Sequence, residues 1–246
     1  MLDKILESER LVFKPFSVLS EEEKEIIIKS WNNPFNARYN ATKDARKSVN
    51  EIVNQEEPTF QDLDNYDDCM YFRVVFDKST GALVGTCRFG KYYKSENNEC
   101  WDFGFNVLLS HWCKGYGVEM IGKIIEISRL QGVKFIRGGA DCENYGSYKA
   151  MIKNGFDYAG TDEDGDYEYI LDINKPEKTQ SEKQAIWYNH LEMTKKDFGL
   201  DKFNRLEFVN KKIIEMVLKI QAGENEDKLV KSYVEELNKI EEFKFN

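Results

Sequence analysis

The segment from Asn106 to Ile121 constrains this chain most, because it reads as a strand end, a loop with two glycines, and an amphipathic helix. A Gly-x-Gly turn before a helix lets backbone N–H groups approach an anion, and the helix N-terminus adds donors and a positive dipole end. The segment lacks the Lys-Ser/Thr ending of a P-loop and the third glycine of a dinucleotide fingerprint. It predicts a pyrophosphate cradle; the alternative is an ordinary glycine turn.

Composition excludes several classes of function. No uninterrupted apolar run exceeds four residues, too few to span a bilayer, and the net charge of −9 argues against nucleic acid as a partner. The five cysteines contain no Cys-x-x-Cys pair and only two histidines accompany them, so neither a zinc site nor a disulfide framework is expected. We therefore expect a cytoplasmic protein with reduced thiols, no metal, and no membrane or nucleic-acid partner.

The pattern along the chain divides it into two parts. Residues 1–174 mix strands and helices and carry the whole acidic excess. A capping box at Ser20 predicts a helix, and a second helix is expected over 43–54. Strands are predicted over 10–16, 70–76, 82–90, 99–107, 133–137, 156–161 and 166–173, with helices over 115–130 and 145–153. A polar linker follows, and residues 175–246 show three helical stripes with breaks at Gly199 and Gly223.

Three local motifs and the order of elements resemble the GNAT superfamily of acyl-CoA-dependent N-acyltransferases over residues 9–173. The loop motif is Trp112-Cys113-Lys114-Gly115-Tyr116-Gly117. The second motif is Asn144-Tyr145-Gly146-Ser147, followed by Gly155-Phe156, and the third is the strand from Asp102 to Val107. With Glu9-Arg10-Leu11 near the start, the chain looks most like the ribosomal-protein N-terminal acetyltransferase branch.

This resemblance implies an α+β fold with a mixed, mostly antiparallel sheet, flanking helices and a splayed parallel strand pair. The all-α C-terminal part would be an addition to it. The implied co-substrate is acetyl-CoA, with its pyrophosphate on the loop amides from Cys113 to Gly117 and with Trp112 also in the cofactor site. Backbone groups of Phe105 and Val107 would pair with the pantetheine amides in the splay, and Asn144 would bind the same arm. Asn144 is equally suited to cap the helix that it begins.

The resemblance also suggests how acetyl transfer would be catalysed. Asp102 occupies the family's acidic strand position and is the candidate base, with a pKa that burial could raise. Ser147 matches the branch's serine and would donate a hydrogen bond toward the sulfur. Both residues have plain structural alternatives, a solvent-facing carboxylate and a helix-capping serine. Met151 stands where many relatives have an acidic tyrosine, so a general acid is not evident.

The acceptor side is expected to include Trp31, Phe35, Tyr39, the acidic run before Asp68 and the hairpin 161–168. Carboxylates with aromatic rings suit a cationic amine, such as a polyamine, an aminoglycoside-like amine or a protein N-terminus. A solvated, charged turn explains the hairpin equally well.

Three roles remain open for residues 175–246: dimerisation, a lid over the acceptor site, and binding of a partner protein. Packing against residues 1–174 is the default expectation, since apolar stripes usually form core. The alternative to an N-acetyltransferase is a non-catalytic module of this fold that binds CoA or another protein.

Overall fold

The structure, a computed structural model, describes residues 5–39, 65–66, 70–92, 95 and 99–240. Its strands are β1 Leu6–Glu7, β2 Leu11–Lys14, β3 Asn65–Tyr66, β4 Met70–Asp77, β5 Leu83–Lys91, β6 Cys100–Val107, β7 Phe135–Ala140, β8 Asp157–Thr161 and β9 Tyr167–Asp172. Its α-helices are α1 Glu21–Asn32, α2 Pro34–Ala37, α3 Tyr116–Leu130, α4 Tyr145–Lys153, α5 Gln180–Phe198, α6 Leu200–Gln221 and α7 Glu226–Leu237. Short 3₁₀ turns occupy Phe16–Val18 and Leu109–His111.

The described strands form one sheet in the order β1-β2-β4-β5-β6-β7-β9-β8, with β3 paired to β4. Every strand pairing among the described residues is antiparallel except that of β6 with β7, which are joined through α3. The sheet lies between α1 on one face and α3 with α4 on the other. This arrangement confirms the predicted mixed fold with one parallel pair.

Local sequence signals explain where most helices begin. Ser20 and Glu23 form the expected reciprocal capping box ahead of α1, and Thr179 with Glu182 does the same for α5. Asn144 caps α4 by accepting a hydrogen bond from the Ser147 backbone N–H at 3.1 Å. These side chains satisfy N–H groups that have no acceptor within their own helix.

Two predicted strands differ from the structure by two residues or more, and the others by at most one residue at either end. The first predicted strand ends at Lys14, because Pro15 leads into the 3₁₀ turn at Phe16. The predicted strand 133–137 instead runs from Phe135 to Ala140, since the N–H groups of Lys134 and Phe135 both donate to the Glu99 carbonyl. The helix predicted over 43–54 and most of the acidic run before Asp68 lie outside the described residues.

The two parallel strands pair only at their beginnings. Cys100–Asp102 match Phe135–Arg137, and no later pair joins β6 to β7 in the described structure. At the point of divergence the Phe103 ring lies against Gly138, where an added Cβ would come within 2.8 Å of the ring and 3.0 Å of the Met151 sulfur. The absence of a side chain at Gly138 therefore leaves room for the Phe103 ring beside β7. We call the opening between β6 and β7 beyond this point the fork.

The C-terminal helices pack against the sheet domain, as the default expectation held. The buried face of α6 shares a cluster with Phe35 of α2, Leu109 after β6, and the partly buried Trp112 and Tyr145. Lys202 pairs with Glu143 at 3.3 Å, and Lys29 of α1 pairs with Asp227 of α7 at 2.7 Å. None of the described helices combines the length and apolar character needed to cross a membrane.

A histidine anchors α5 to the sheet domain. The ring of His190 lies 4.1 Å from that of Tyr148, and the Tyr169 hydroxyl is 2.6 Å from its Nδ1 atom. Thr194 lies 3.3 Å from Nε2, so both ring nitrogens have polar neighbours. His190 is only 3% exposed, and burial lowers its pKa from 6.5 to about 4. A neutral imidazole is therefore built into this contact.

Replacing Gly138 with alanine should destabilise the fold by about 1–3 kcal/mol, because the new methyl group would overlap the buried Phe103 ring. The neighbouring Gly139→Ala is the matched control, since its added Cβ would lie 3.9 Å from the Tyr167 carbonyl oxygen, an ordinary contact, and its effect should stay within about 0.5 kcal/mol. Urea unfolding of both variants measures the difference. Equal losses of unfolding free energy in the two variants would contradict the close contact between the Phe103 ring and Gly138.

Stability should fall as the pH drops from about 6.5 toward 4, because His190 binds a proton more readily in the unfolded chain. Above pH 6.5 the stabilising contribution of neutral His190 is complete. Protonation of His190 in both the folded and the unfolded chain, below about pH 4, should lower the free energy of unfolding by about 3 kcal/mol. The measurement is the difference in unfolding free energy between the wild type and His190→Gln across this range. Parallel pH profiles for the two proteins would argue against a neutral buried histidine.

Candidate functional site

The loop between β6 and α3 has an unusual backbone. Cys113 has φ 62°, a left-handed conformation found at no other non-glycine residue in the described part of the chain, and Gly115 follows with φ 81°. Gly115 supplies no side-chain cap to α3. The first backbone bond of the helix runs from Glu119 to Gly115, so the N–H groups of residues 116–118 have no acceptor within the helix. Unsatisfied donors at an exposed helix start suit an anion.

The second glycine of the loop serves a packing role. A Cβ on Gly117 would lie 2.9 Å from the ring of Phe105, which projects from β6 onto the first turn of α3. Phe105 in turn stacks on Phe103 with ring centroids 6.4 Å apart. The Gly-x-Gly spacing is therefore explained by a left-handed turn at Gly115 and by a close ring at Gly117.

Arg10, which immediately precedes β2, contacts the loop through its side chain. Arg10 donates from Nη1 to the Lys114 carbonyl at 3.0 Å and from Nε to Glu119 at 2.7 Å, and its guanidinium lies 4.7 Å from the Tyr116 ring centre. The Tyr116 hydroxyl donates to Asp77 at 2.7 Å. Burial acts to raise the pKa of Glu119, but hydrogen bonds from Arg10 and Ser8 outweigh it and lower that pKa. The Glu9-Arg10-Leu11 motif gave no indication of this role for Arg10.

A lysine on α4 adds positive charge near the loop. Burial raises the pKa of the Cys113 thiol, and the positive charge of Lys149 acts in the opposite direction. The Lys149 ammonium lies 5.0 Å from the Trp187 ring centre. Lys114 in the loop and Arg10, hydrogen-bonded to its carbonyl, are two further cations of this region. No motif in the sequence pointed to Lys149.

The backbone of β6 faces the fork on its unpaired side. Leu108 donates to the Val84 carbonyl of β5 at 2.9 Å. Since backbone groups alternate sides along a strand, those of Val107 and Phe105 point away from β5 and into the fork. The Trp112 indole N–H donates to the Val107 carbonyl at 2.8 Å. That carbonyl therefore already has one partner from the chain itself.

Asp102 lies on the α1 face of the sheet, at the base of the fork. It pairs with Arg88 at 3.1 Å, and the register places it beside Arg137 of β7. Burial raises the pKa of Asp102, although the nearby arginines act to lower it. Arg137 in turn pairs with Glu168. Charges of both signs thus surround this carboxyl group, so it is not a solitary acid.

Ser147 and Asn144 lie on the opposite face from Asp102. Both belong to the start of α4, which packs with α3. The Asn144 side-chain oxygen caps the helix, leaving its NH₂ group for other contacts. The structure therefore does not bring Asp102 and Ser147 onto one face: they approach the fork from its two sides.

The acceptor side differs in part from expectation. Phe35 is fully buried against the C-terminal helices, so it cannot line an open site. Burial raises the pKa of Tyr39 to about 12. In the hairpin, Asp162 accepts from the backbone N–H groups of Asp164 and Asp166 at 3.0 and 2.9 Å. This acidic loop is thus organised as a turn with exposed tips. Among the described residues, no three potential metal ligands lie together.

Comparison with known proteins places this geometry in a family. The family model described as an acetyltransferase (GNAT) domain matches residues 10–157, more than half of the chain. None of the curated proteins matches the chain in sequence.

Solved structures share the fold at low sequence identity. A GNAT-family acetyltransferase from Bacillus anthracis aligns with a TM-score of 0.55 and 16% identity, covering 70% of this chain and 99% of the other. Spermidine N-acetyltransferase from Vibrio cholerae, in complex with CoA and spermine, aligns at 0.53 and 16%, covering 68% and 98%. AAC(6')-Ib in complex with ribostamycin and coenzyme A aligns at 0.53 and 13%, covering 67% and 94%. Together with the match to the family model, the forked parallel pair and the glycine loop show that the chain belongs to the GNAT family of acetyltransferases.

Proposed function

We propose that this protein is an acetyl-CoA-dependent N-acetyltransferase that acts on a primary amine. The observation that carries this proposal is the start of α3, which no side chain caps, exposed after the left-handed Cys113 and Gly115, with Arg10 hydrogen-bonded to the loop. Such a site is suited to a pyrophosphate group. The described structures of spermidine N-acetyltransferase and AAC(6')-Ib hold coenzyme A in the same fold, which supports the same co-substrate here.

The residues around the loop fit the parts of acetyl-CoA. Backbone N–H groups from Cys113 to Gly117 would bind the pyrophosphate, with Trp112 holding the turn through its bond to Val107. The pantetheine arm would enter the fork, into which the backbone groups of Phe105 and the N–H of Val107 point. The amide NH₂ of Asn144 would bind it from the start of α4. Pairing with the arm would satisfy backbone groups that burial otherwise penalises.

The two faces of the fork support separate roles in acetyl transfer. The amine nitrogen would attack the thioester carbon from the α1 face, forming the C–N bond as the C–S bond breaks. Asp102 on that face would take the ammonium proton, directly or through a water. Ser147 on the other face would donate a hydrogen bond to the departing sulfur. A base and a donor on opposite sides of the thioester need not contact each other.

The acceptor is proposed as a primary amine without a fixed carrier. Polyamines, aminoglycoside-like amines and protein N-termini, including those of ribosomal proteins, all present the required group. The described surroundings of Asp102 contain Arg88 and Arg137 as well as carboxylates, and this balance does not select for a polycation. An acceptor with a single amine and polar neighbouring groups fits these charges as well as spermidine would.

Acetyl-CoA and CoA should bind in the micromolar range by isothermal titration calorimetry, and NADH should give no signal. Lys149→Met should weaken acetyl-CoA binding about fivefold to tenfold by removing a charge near the phosphates. Lys153→Met, at the exposed end of the same helix, is the matched control and should bind as the wild type does. Absence of acetyl-CoA binding by the wild type would overturn the proposed function.

Asp102→Asn should lower kcat about 10²–10⁴-fold while leaving the Kd for acetyl-CoA unchanged, because the carboxyl group is assigned to proton removal. In the wild type, the rate should rise with pH through the elevated pKa of Asp102, and the variant should lose this acidic limb. Asp201→Asn, on the exposed first turn of α6, is the control. Thiol release from acetyl-CoA with a panel of amines measures the rate. Unchanged turnover in Asp102→Asn would remove the residue from the mechanism.

The alternative of a non-catalytic CoA-binding module makes a different prediction for the same assays. Such a module would bind acetyl-CoA with the Lys149 dependence given above, yet release no thiol with any amine. The Met151 sulfur packed against Gly138, where relatives often have a tyrosine, favours this alternative. The carboxyl group of Asp102 at the base of the fork, whose pKa is raised by burial, and the hydroxyl group of Ser147 at the start of α4 favour the enzyme.

A further inference from the structure

The C-terminal helix α6 reaches the loop that we assign to the pyrophosphate. Its last residue, Gln221, donates from its side-chain NH₂ group to the Trp112 carbonyl at 2.8 Å and to the Ser110 carbonyl at 3.2 Å. A glutamine amide has two N–H donors, so this contact uses both. Trp112 immediately precedes the left-handed Cys113, and Ser110 lies two residues before Trp112.

These hydrogen bonds determine where the loop's N–H groups point. In a trans peptide, the N–H of one residue points opposite to the carbonyl of the residue before it. Gln221 holds the Trp112 carbonyl, which directs the Cys113 N–H to the other side. Arg10 holds the Lys114 carbonyl at 3.0 Å and directs the Gly115 N–H in the same way. Two side chains from distant parts of the chain thus orient the donors of one loop.

The loop needs such external support because its backbone is strained. A non-glycine residue at φ 62° is sterically disfavoured and persists only where its surroundings impose it. Gln221 acts on the peptide that leads directly into Cys113. It is itself held in place because Val217 and Ile220, on the same helix turn, are buried in the cluster with Leu109.

The other end of α6 is fixed to the opposite side of the fork. Lys202 pairs with Glu143, in the segment between β7 and α4, and Leu206 is fully buried in the cluster that includes Tyr145. From Lys202 to Gln221 the helix spans about 28 Å at 1.5 Å per residue. A single rigid helix therefore connects the region after β7 with the region after β6.

We infer that the C-terminal extension is part of the acetyl-CoA site, and that Gln221 is a positioning residue that holds the pyrophosphate loop in its anion-binding conformation. This inference rests on the proposed function, because it assumes that acetyl-CoA binds at this loop. It assigns to the extension a role within each molecule, distinct from dimerisation or capture of a partner protein.

The test is Gln221→Glu in the full-length chain. The substitution keeps the side chain's shape and turns a donor group into a carboxylate facing two carbonyl oxygens. The Kd for acetyl-CoA should rise about tenfold or more, since hydrogen bonds that orient the loop are lost. The Kd for S-acetylpantetheine, which lacks the pyrophosphate, should stay within about twofold of the wild type, because that ligand does not use the loop.

The matched control is Gln184→Glu, an exposed glutamine of α5 whose side chain donates to the Tyr188 hydroxyl at 3.3 Å. It should bind both ligands as the wild type does. Equal weakening of both ligands by Gln221→Glu would indicate a general loss of structure and overturn the inference. An unchanged Kd for acetyl-CoA would also overturn it. Failure of the wild type to bind acetyl-CoA would instead refute the proposed function.

A second measurement needs no variant. Hydrogen exchange of the wild type should slow on acetyl-CoA binding in two segments, the loop 112–118 and the end of α6 at 216–222, while α7 stays unchanged. This pattern is expected because fixing the loop also fixes the group bonded to it. Slower exchange in the loop without any change at the end of α6 would contradict the role of Gln221, even if the variant failed to fold.

Discussion

The divergence of β6 from β7 is the constraint on which the rest of this structure depends. Two parallel strands that part after three residue pairs leave polar backbone groups along one side of each strand without a neighbouring strand. The Phe103 ring against Gly138 keeps the strands apart, and the same ring stacks on Phe105, which covers Gly117. A line of aromatic contacts therefore links the opening of the fork to the start of α3. The proposed binding site and the divergence of the two strands are therefore one feature.

Much of this fold follows from local sequence patterns. The capping box at Ser20, the helix 145–153 and the breaks at Gly199 and Gly223 were predicted because each depends on residues close in sequence. The fork and the mostly antiparallel sheet were inferred from motifs that resemble a family, and the structure confirms them. The two shifted strand ends, at Lys14 and Phe135, reflect a proline turn and a shared carbonyl that periodicity does not report.

The candidate site was predictable only in its local part. The loop 112–117 is contiguous in the sequence, so its two glycines predicted it. Arg10, Lys149 and Gln221 are far from the loop in the sequence and come near it only in the folded chain. The contact made by His190 was not predicted for the same reason: its partners Tyr148 and Tyr169 become neighbours only after α5 packs against the sheet. Side chains that act across long separations leave no periodic signal, and only the folded chain reveals them.

The bracing of the loop by Arg10 and Gln221 also has a consequence for synthesis on the ribosome. The contacts of one short loop span almost the entire chain, from its tenth residue to its two hundred and twenty-first. Domains generally begin to fold as they emerge, from the N-terminal side first. Here the sheet can assemble while the last helices are still in the exit tunnel, but the loop acquires its final bracing only after translation has passed Gln221. A nascent chain released early would therefore resemble the finished protein in its sheet and differ from it at the loop.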